Sequence, residues 1–297
     1  MNDFNSNLLV FGEILYDVFE EEEKLGGAPF NVAYNLNMLG FSPLFISKVG
    51  DDKLGNKILS FMESSGLSTE YVSVDSTRPT GRVIVSVTAG EPYYKIIKDQ
   101  AYDHIDGKLP EADGLIYYGT LAARSKTSKA SLLKLIEKTT ATKFYDVNLR
   151  KDCWDMNTVS LLASYADHMK LNENELIILT EGICPYDGGY VSRGRVLMEM
   201  YGIKNLYITF GAKGAAFISE DKNIESRCFY VESMKDTVGA GDAFSSVIIS
   251  GLLNDTDIEK SLNMAAYYAS RICTLQGALT EDKKFYEDIK EELNAFR

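Results

Sequence analysis

Short apolar runs bounded by turn residues alternate along the chain with segments of helical periodicity. Buried strands are predicted at residues 8–11, 44–49, 115–118, 143–147, 168–171 and 206–210, and helices between the first of them at residues 29–39 and 53–65. Strands that alternate with helices are typical of a parallel sheet covered by helices on its faces. The pattern therefore predicts an α/β fold.

One stretch departs from this alternation. Valines occupy every second position from residue 83 to 87, a turn is predicted at 89–92, and a second extended run follows without a helix between. This is the pattern of a β-hairpin. No internal repeat or long linker interrupts the chain, so we expect a single domain over residues 1–297. A small β excursion is expected from segments at about 14–24 and 80–105.

The composition is ordinary for a globular protein, and the charge narrows the choice of partner. A net charge of −12 argues against binding to nucleic acids, whose partners gather Lys and Arg. The four cysteines form no C-x-x-C pair, which favours reduced thiols over a disulfide framework or a zinc site. No apolar run reaches the length of a membrane span, and no signal peptide is indicated. We expect a cytoplasmic protein without a membrane partner.

The strongest candidate for chemistry is the segment D-T-V-G-A-G-D at residues 236–242. Small and apolar residues after it recur at the spacing of one buried helix face, which places residues 239–241 at a helix N-terminus. The unpaired N–H groups and the helix dipole at such a terminus favour an anion. Asp242 falls in the first turn, where it could accept a proton from a hydroxyl that attacks a phosphoryl group. A merely structural glycine turn would give the same local pattern.

Two further segments bear on this choice. G-E-I-L-Y-D stands at residues 12–17 and G-G-A-P-F-N at residues 26–31, far from D-T-V-G-A-G-D along the chain. In this order the three segments resemble the ribokinase-like (PfkB) carbohydrate kinases over nearly the whole sequence. The resemblance implies a ribokinase-like α/β fold, with a central mostly parallel sheet, flanking helices and a small β lid. It also implies MgATP as the phosphoryl donor.

The resemblance also implies roles for individual residues. Asp242 matches the catalytic base, and the N–H groups of Gly239, Ala240 and Gly241 match the anion hole. The other implied contacts are with the sugar (Asp17, Gly27, Asn31, Asn148 and Arg150), with ATP (Asn172, Thr209, Gly211 and Gly214), with Mg²⁺ through water (Glu175), and with a monovalent cation such as K⁺ (Asp236, beside residues 276–278). Val247 departs from the small residue usual in the family, and we expect it to change helix packing rather than chemistry.

The sugar is indicated by the A-P-x-N form around Pro29 and by the N-x-R segment at residues 148–150, which most resemble fructokinases. An Arg at the carboxyl end of a strand can donate several hydrogen bonds to a ligand there. Kinases of 2-keto-3-deoxygluconate carry a similar N-x-R segment but lack the proline. The substrate of ribokinases has no group that would require an arginine at the position of Arg150. Arg150 could instead pair with Asp152 or Asp155 at the surface.

Two other classes of protein have to be weighed. A non-catalytic sugar sensor with the same fold would not need both Asp242 and the N-x-x-E segment at residues 172–175, and the chain has both. A dehydrogenase is disfavoured because no G-x-G-x-x-G follows the first strand. The alternating valines finally predict an apolar face on the lid, which a second copy of the chain would cover. We therefore expect a homodimer through the lids.

Overall fold

The structure is a computed structural model that describes residues 7–20, 22–88, 91–137, 139–184 and 188–296, without the side chains of residues 87, 88, 91 and 92. Residues 89 and 90 of the predicted hairpin turn lie outside the described residues. The chain divides into two compact units. Met1–Ala141 and Lys151–Trp154 form the N-terminal unit, and Thr142–Arg150 and Asp155–Arg297 form the C-terminal unit.

The N-terminal unit is built from parallel strands, a small sheet and helices. Its elements are β1 (Leu8–Phe11), β2 (Leu15–Val18), β3 (Glu23–Gly26), α1 (Ala28–Met38), β4 (Leu44–Gly50), α2 (Lys53–Ser65), β5 (Val72–Asp75), β6 (Gly81–Thr88), β7 (Glu91–Ile96), β8 (Leu115–Gly119) and α3 (Lys126–Ile136). Strands β8, β1, β4 and β5 lie side by side in that order and run parallel. Helix α2 begins and ends as its local sequence requires, because Asp52 accepts a hydrogen bond from the N–H of Gly55 and Gly66 takes a left-handed conformation.

The small sheet has the strand order β3-β2-β6-β7. Strands β6 and β7 form the predicted antiparallel hairpin. The sheet ends at Ile96, earlier than the predicted excursion, because Ala101–His104 forms a 3-10 helix instead. The expectation of an uncovered valine face was wrong: Val83 and Val85 are buried within the chain. The alternation of period two groups residues on one face, but it does not tell which face is covered.

The C-terminal unit carries the second half of the predicted alternation. Its elements are β9 (Thr142–Asp146), α4 (Met156–Ala163), β10 (His168–Asn172), α5 (Glu173–Leu179), α6 (Tyr190–Tyr201), β11 (Asn205–Thr209), β12 (Ala215–Ile218), β13 (Asn223–Ser226), α7 (Ala240–Leu253), α8 (Ile258–Ile272) and α9 (Lys283–Ala295). Strands β9, β10 and β11 run parallel, and β12 and β13 continue the sheet antiparallel. In the described part of the chain, none of the helices has the length and apolar character needed to span a bilayer.

Helix α7 packs on one face of these strands and brings its own N-terminus to the site. Its buried residues include Phe244 and Val247, so the departure at Val247 lies in the core. The hydroxyl of Ser245 donates to Asp146 on β9 at 2.9 Å. Further along the helix, Ile248 and Leu252 line a cavity together with His168 of β10. The start of α7 therefore lies near the carboxyl ends of the strands, where α/β sheets bind their ligands.

Candidate active site

The N-terminus of α7 has the geometry of an anion site. Gly239 is the residue that caps the helix, and it adopts a left-handed conformation with φ of 80° and no side-chain cap. A side chain there would also collide with Ala278, because a Cβ would lie 2.5 Å from the Ala278 Cβ. Asp242 follows in the first turn and is buried, with 7% of its surface exposed. The backbone N–H groups of a first turn and one buried carboxylate thus share this terminus.

Asp236 ties the start of the loop to a neighbouring segment. One carboxylate oxygen accepts from the N–H of Val238 at 3.1 Å, and the other accepts from the N–H of Gly277 at 3.1 Å. The backbone N–H groups of Lys235 and Asp236 also donate to the carbonyl of Cys273. Asp236 and the loop at residues 276–278, which the sequence associates with a monovalent cation, are therefore neighbours.

Glu175 has a more specific place than its motif indicates. Its two carboxylate oxygens accept hydrogen bonds from two backbone N–H groups, one of Leu149 at 2.7 Å and one of Asn172 at 2.8 Å. Asn172 returns the second bond by accepting from the N–H of Glu175, which completes a capping box at the start of α5. Burial raises the pKa of Glu175 above its ordinary value, against the opposing effects of Lys170 and of the N–H donors.

The residues expected to contact ATP lie at the carboxyl end of the C-terminal unit's strands. Asn172 of β10 pairs directly with Thr209 of β11. Gly211 and Gly214 both have left-handed φ values, 57° and 106°, in the turn that follows β11. A Cβ at Gly214 would lie 2.0 Å from the carbonyl oxygen of Ser226, so this glycine is required for the turn itself.

The segment after β9 presents the two residues of the N-x-R pattern. Asn148 adopts a left-handed conformation with φ of 40°, which Asn tolerates better than most residues. Arg150 is exposed. Asp155, one of its two possible surface partners, instead caps α4 by accepting from the N–H and hydroxyl of Thr158. The bond from Leu149 to Glu175 fixes the middle of this segment.

Three of the expected sugar contacts belong to the N-terminal unit. Gly27 caps α1 with φ of 111°, and a Cβ there would lie 2.6 Å from the carbonyl oxygen of Glu13. Asn31 is buried in the first turns of α1. Asp17 lies on β2, and one of its carboxylate oxygens would be 3.5 Å from a Cβ built at Gly26 of β3. The diglycine at residues 26 and 27 thus allows strand β2 and the start of helix α1 to lie close together.

The structure also reveals a buried charged cluster that the motifs did not identify. Lys170 on β10 lies 3.1 Å from both carboxylate oxygens of Asp146 on β9, and both side chains are buried. Ser245 of α7 binds the same carboxylate. The available signal was a lysine and an aspartate inside predicted buried strands, since such residues are rarely buried without a partner.

The acidic groups of the site do not form a dense metal cage. In the described ranges, no group of three or more His, Cys, Asp or Glu side chains is arranged to hold a metal ion. Glu175 uses both oxygens for backbone N–H donors, so a contact with Mg²⁺ through water fits its geometry better than a direct bond.

Comparison with known proteins places this geometry in a family. The profile of the pfkB family carbohydrate kinases matches residues 1–284. The chain is 29% identical to a protein of Arabidopsis thaliana named probable fructokinase-6, over 92% of this chain and 77% of that protein.

Solved structures share the fold at lower sequence identity. The aminoimidazole riboside kinase of Salmonella enterica, complexed with aminoimidazole riboside and an ATP analogue, is 21% identical with a TM-score of 0.82, over 98% of this chain and 99% of that one. A fructokinase of Vibrio cholerae bound to fructose, ADP and calcium is 22% identical with a TM-score of 0.78, over 95% and 98% of the two chains. The expected ribokinase-like α/β fold is confirmed, and the chain belongs to the pfkB family of carbohydrate kinases.

Proposed function

We propose that this carbohydrate kinase transfers the γ-phosphoryl group of MgATP to a primary hydroxyl of a small sugar, with fructose as the first candidate. The observation that carries the proposal is the start of α7, where the left-handed Gly239 leads into a first turn that contains the buried Asp242. A helix N-terminus attracts a phosphoryl group, and a carboxylate beside it can accept a proton.

In the proposed reaction the oxygen of the sugar hydroxyl attacks the γ-phosphorus and Asp242 accepts the hydroxyl proton, while the bond between the γ-phosphorus and the bridging oxygen breaks and ADP leaves. The N–H groups of Gly239, Ala240 and Gly241 stabilise the negative charge that develops on the transferring group. Bound Mg²⁺ would neutralise charge on the phosphates, and Glu175 would hold one of its waters. The small sheet β3-β2-β6-β7 would act as the lid that excludes water, so that ATP is not hydrolysed.

The nucleotide and the sugar are assigned to different sets of residues. We assign the ATP side to Asn172, Thr209, Gly211 and Gly214, which follow β10 and β11 in the C-terminal unit. We assign the sugar hydroxyls to Asp17, Gly27, Asn31, Asn148 and Arg150. Fructose is favoured by the pattern around Pro29 together with Arg150, and the fructokinases among the relatives support this choice.

The decisive experiment is a coupled assay of ATP consumption with purified protein over fructose, ribose, 2-keto-3-deoxygluconate and nucleosides. We expect the highest kcat/KM with fructose. A clear preference for 2-keto-3-deoxygluconate would assign Arg150 to a carboxylate and overturn the choice of fructose. If no ATP is consumed with any of these acceptors at saturating Mg²⁺, the kinase proposal is contradicted.

A monovalent cation is proposed beside Asp236. Its carboxylate already orders the N–H groups of Val238 and Gly277, so a cation there would stabilise the loop that precedes the anion hole. We expect higher kcat in KCl than in tetramethylammonium chloride at equal ionic strength. Equal rates in the two salts would remove the cation from the proposal.

A homodimer through the lids is proposed on a different face from the one first expected. Ile84 and Tyr93 lie on the face of the small sheet opposite Val83 and Val85, and these large apolar side chains are 39% and 55% exposed. A second copy would cover them. Light scattering at micromolar concentration should give twice the 33.1 kDa mass of the chain, and the Tyr93→Lys variant should lower it. A monomeric wild-type protein would contradict this proposal.

The cytoplasmic location is also a proposal, testable by fractionating cells that express the protein.

A further inference from the structure

The ion pair of Lys170 and Asp146 connects the sheet to the start of α7. The Lys170 ammonium lies 3.1 Å from each carboxylate oxygen of Asp146, which has no exposed surface. The same carboxylate accepts from the hydroxyl of Ser245, one turn into α7. Two neighbouring strands and the helix therefore share a single buried polar junction.

Lys170 also reaches the first turn of α7 directly. A Cβ built at Gly241 would lie 3.1 Å from the Lys170 Nζ and 4.0 Å from its Cε. The ammonium thus occupies the space beside the residue that precedes Asp242. The absence of a side chain at Gly241 leaves room for this approach.

The start of α7 is an unfavourable place for a cation that has only a structural role. The N-terminus of a helix carries partial positive charge and repels an ammonium group. Burial alone lowers the pKa of Lys170, but the nearby carboxylates of Asp146, Glu175 and Asp242 raise it above its ordinary value. The ammonium is therefore charged at neutral pH, with the Asp146 carboxylate as its ion-pair partner. A purely packing role would be met more simply by an apolar residue, as at Met169 and Leu171 of β10.

We propose that Lys170 is a positioning residue for phosphoryl transfer, whose buried positive charge, fixed by Asp146, holds Gly241 and Asp242 in place when the anionic phosphoryl group arrives. The inference rests on the proposed kinase function. It assigns to Lys170 a role in the pre-organised electrostatics of the anion hole, without contact to sugar or nucleotide.

The test compares Lys170→Met, which removes the charge and keeps an unbranched side chain, with Lys170→Arg, which keeps the charge. Lys170→Met should lower kcat by about 10- to 100-fold, as the loss of an orienting partner typically does. KM for ATP and for the sugar should change little. Lys170→Arg should retain more of kcat than Lys170→Met, although Arg is bulkier. A packing role predicts the reverse order.

Lys143→Met is the matched control. Lys143 lies on β9 at the other end of the strand from Asp146, and its ammonium is 3.8 Å from a carboxylate oxygen of Asp167. This partly buried pair joins β9 to the residue that precedes β10, at the end of β9 away from Asp146. Its loss should leave kcat at the wild-type value. Melting temperatures of all variants establish that each is folded at the assay temperature.

A binding measurement gives a readout that does not depend on turnover. Calorimetry with ADP and Mg²⁺, with and without aluminium fluoride as a mimic of the transferring group, should show that Lys170→Met binds ADP normally and the mimic more weakly. Equal loss for both ligands, or a folded Lys170→Met variant with wild-type kcat, would overturn the inference alone. A wild-type protein that binds neither ligand and transfers no phosphoryl group would overturn the kinase proposal, and this inference with it.

Discussion

Strands β9 and β10 carry two residue pairs, two positions apart, that differ in character. One pair is aromatic and the other is charged. His168 on β10 pairs with Phe144 on β9, and Lys170 pairs with Asp146. Side chains two positions apart share a face of the sheet, so both pairs lie beneath α7. The His168 ring stacks between Phe144 and Tyr207, with ring centroids 6.1 and 6.0 Å apart, whereas Lys170 and Asp146 form a charged junction with the start of the helix.

The difference defines two ends of this face beneath α7. The structural end lies at His168, and the chemical end lies at Asp146 and Lys170, beside the start of the helix. Burial lowers the pKa of His168 to about 4, so its ring is neutral and packs as an aromatic side chain. Its neighbours on α7 include the apolar Ile248 and Leu252. At the other end the helix brings Ser245 and Asp242 to charged partners. Of the two pairs, only the one near the proposed site of reaction is charged.

The largest effect is expected at Asp242. The variant Asp242→Asn removes the proton acceptor with little change in shape, so kcat should fall by about 10²- to 10⁴-fold, the typical contribution of a positioned base. Sugar binding, measured by calorimetry, should stay near the wild-type value. Near-normal turnover in the folded variant would show that the chemical end has been assigned to the wrong residue.

A stability measurement should separate the two pairs. Removing Lys170 alone leaves the carboxylate of Asp146 buried without its cation, so Lys170→Met should lower the free energy of unfolding by about 3–5 kcal/mol. His168→Phe keeps an aromatic ring in the stack and should change it by less than about 1.5 kcal/mol. Urea denaturation of both variants checks the comparison. Similar losses at the two positions would mean that the pairs are equivalent structural contacts.

The pH dependence of stability should reveal the neutral histidine. Because folding lowers the pKa of His168 from 6.5 to about 4, the unfolded chain binds this proton first as the solution is acidified. The stabilising contribution is complete above pH 6.5 and is lost as the pH falls toward about 4. At most about 3.4 kcal/mol is involved, at roughly 1.36 kcal/mol for each pH unit between 6.5 and about 4. His168→Phe should therefore flatten the wild-type curve in this window, and parallel curves would contradict the assignment.

The smallest of these effects is expected for the sugar contact proposed at Arg150. Its exposed side chain lies outside the buried junction, so Arg150→Ala should raise KM for the sugar by about 10-fold, equivalent to one charge-assisted hydrogen bond of roughly 1.5 kcal/mol. The kcat should be nearly unchanged. Lys151→Ala, at the exposed neighbouring position, is the control and should behave as wild type. Unchanged sugar kinetics in Arg150→Ala would place this residue at the surface without a ligand.

The sequence predicts features that depend on local chemistry better than those that depend on neighbouring strands. Helix α2 could be bounded from Asp52 and Gly66, because caps act within a turn of the helix. The glycine terminus at residues 239–241 was predicted from another local pattern, the apolar periodicity of the helix that follows it. The pairing of Lys170 with Asp146 depends on the register of β10 against β9, which no local pattern specifies.

The same limit applies to Glu175 and to the small sheet. The N-x-x-E motif predicts a capping box, but the bond from the N–H of Leu149 joins segments that are distant in sequence. Alternation in β6 predicts that Val83 and Val85 share a face, yet only the folded chain shows that this face is buried. The Leu149–Glu175 bond and the burial of the valine face therefore depend on tertiary contacts, which local sequence patterns do not specify.

The most direct test of the division between the two ends is the rate of phosphoryl transfer in a single turnover. Rapid-quench experiments would use radiolabelled ATP, saturating Mg²⁺ and the preferred sugar with wild type, Asp242→Asn and His168→Phe. We expect transfer to slow by about 10²-fold or more in Asp242→Asn and to keep the wild-type rate in His168→Phe. Transfer that is equally fast in wild type and Asp242→Asn, or equally slow in both variants, would contradict the assignment of the chemistry to the start of α7.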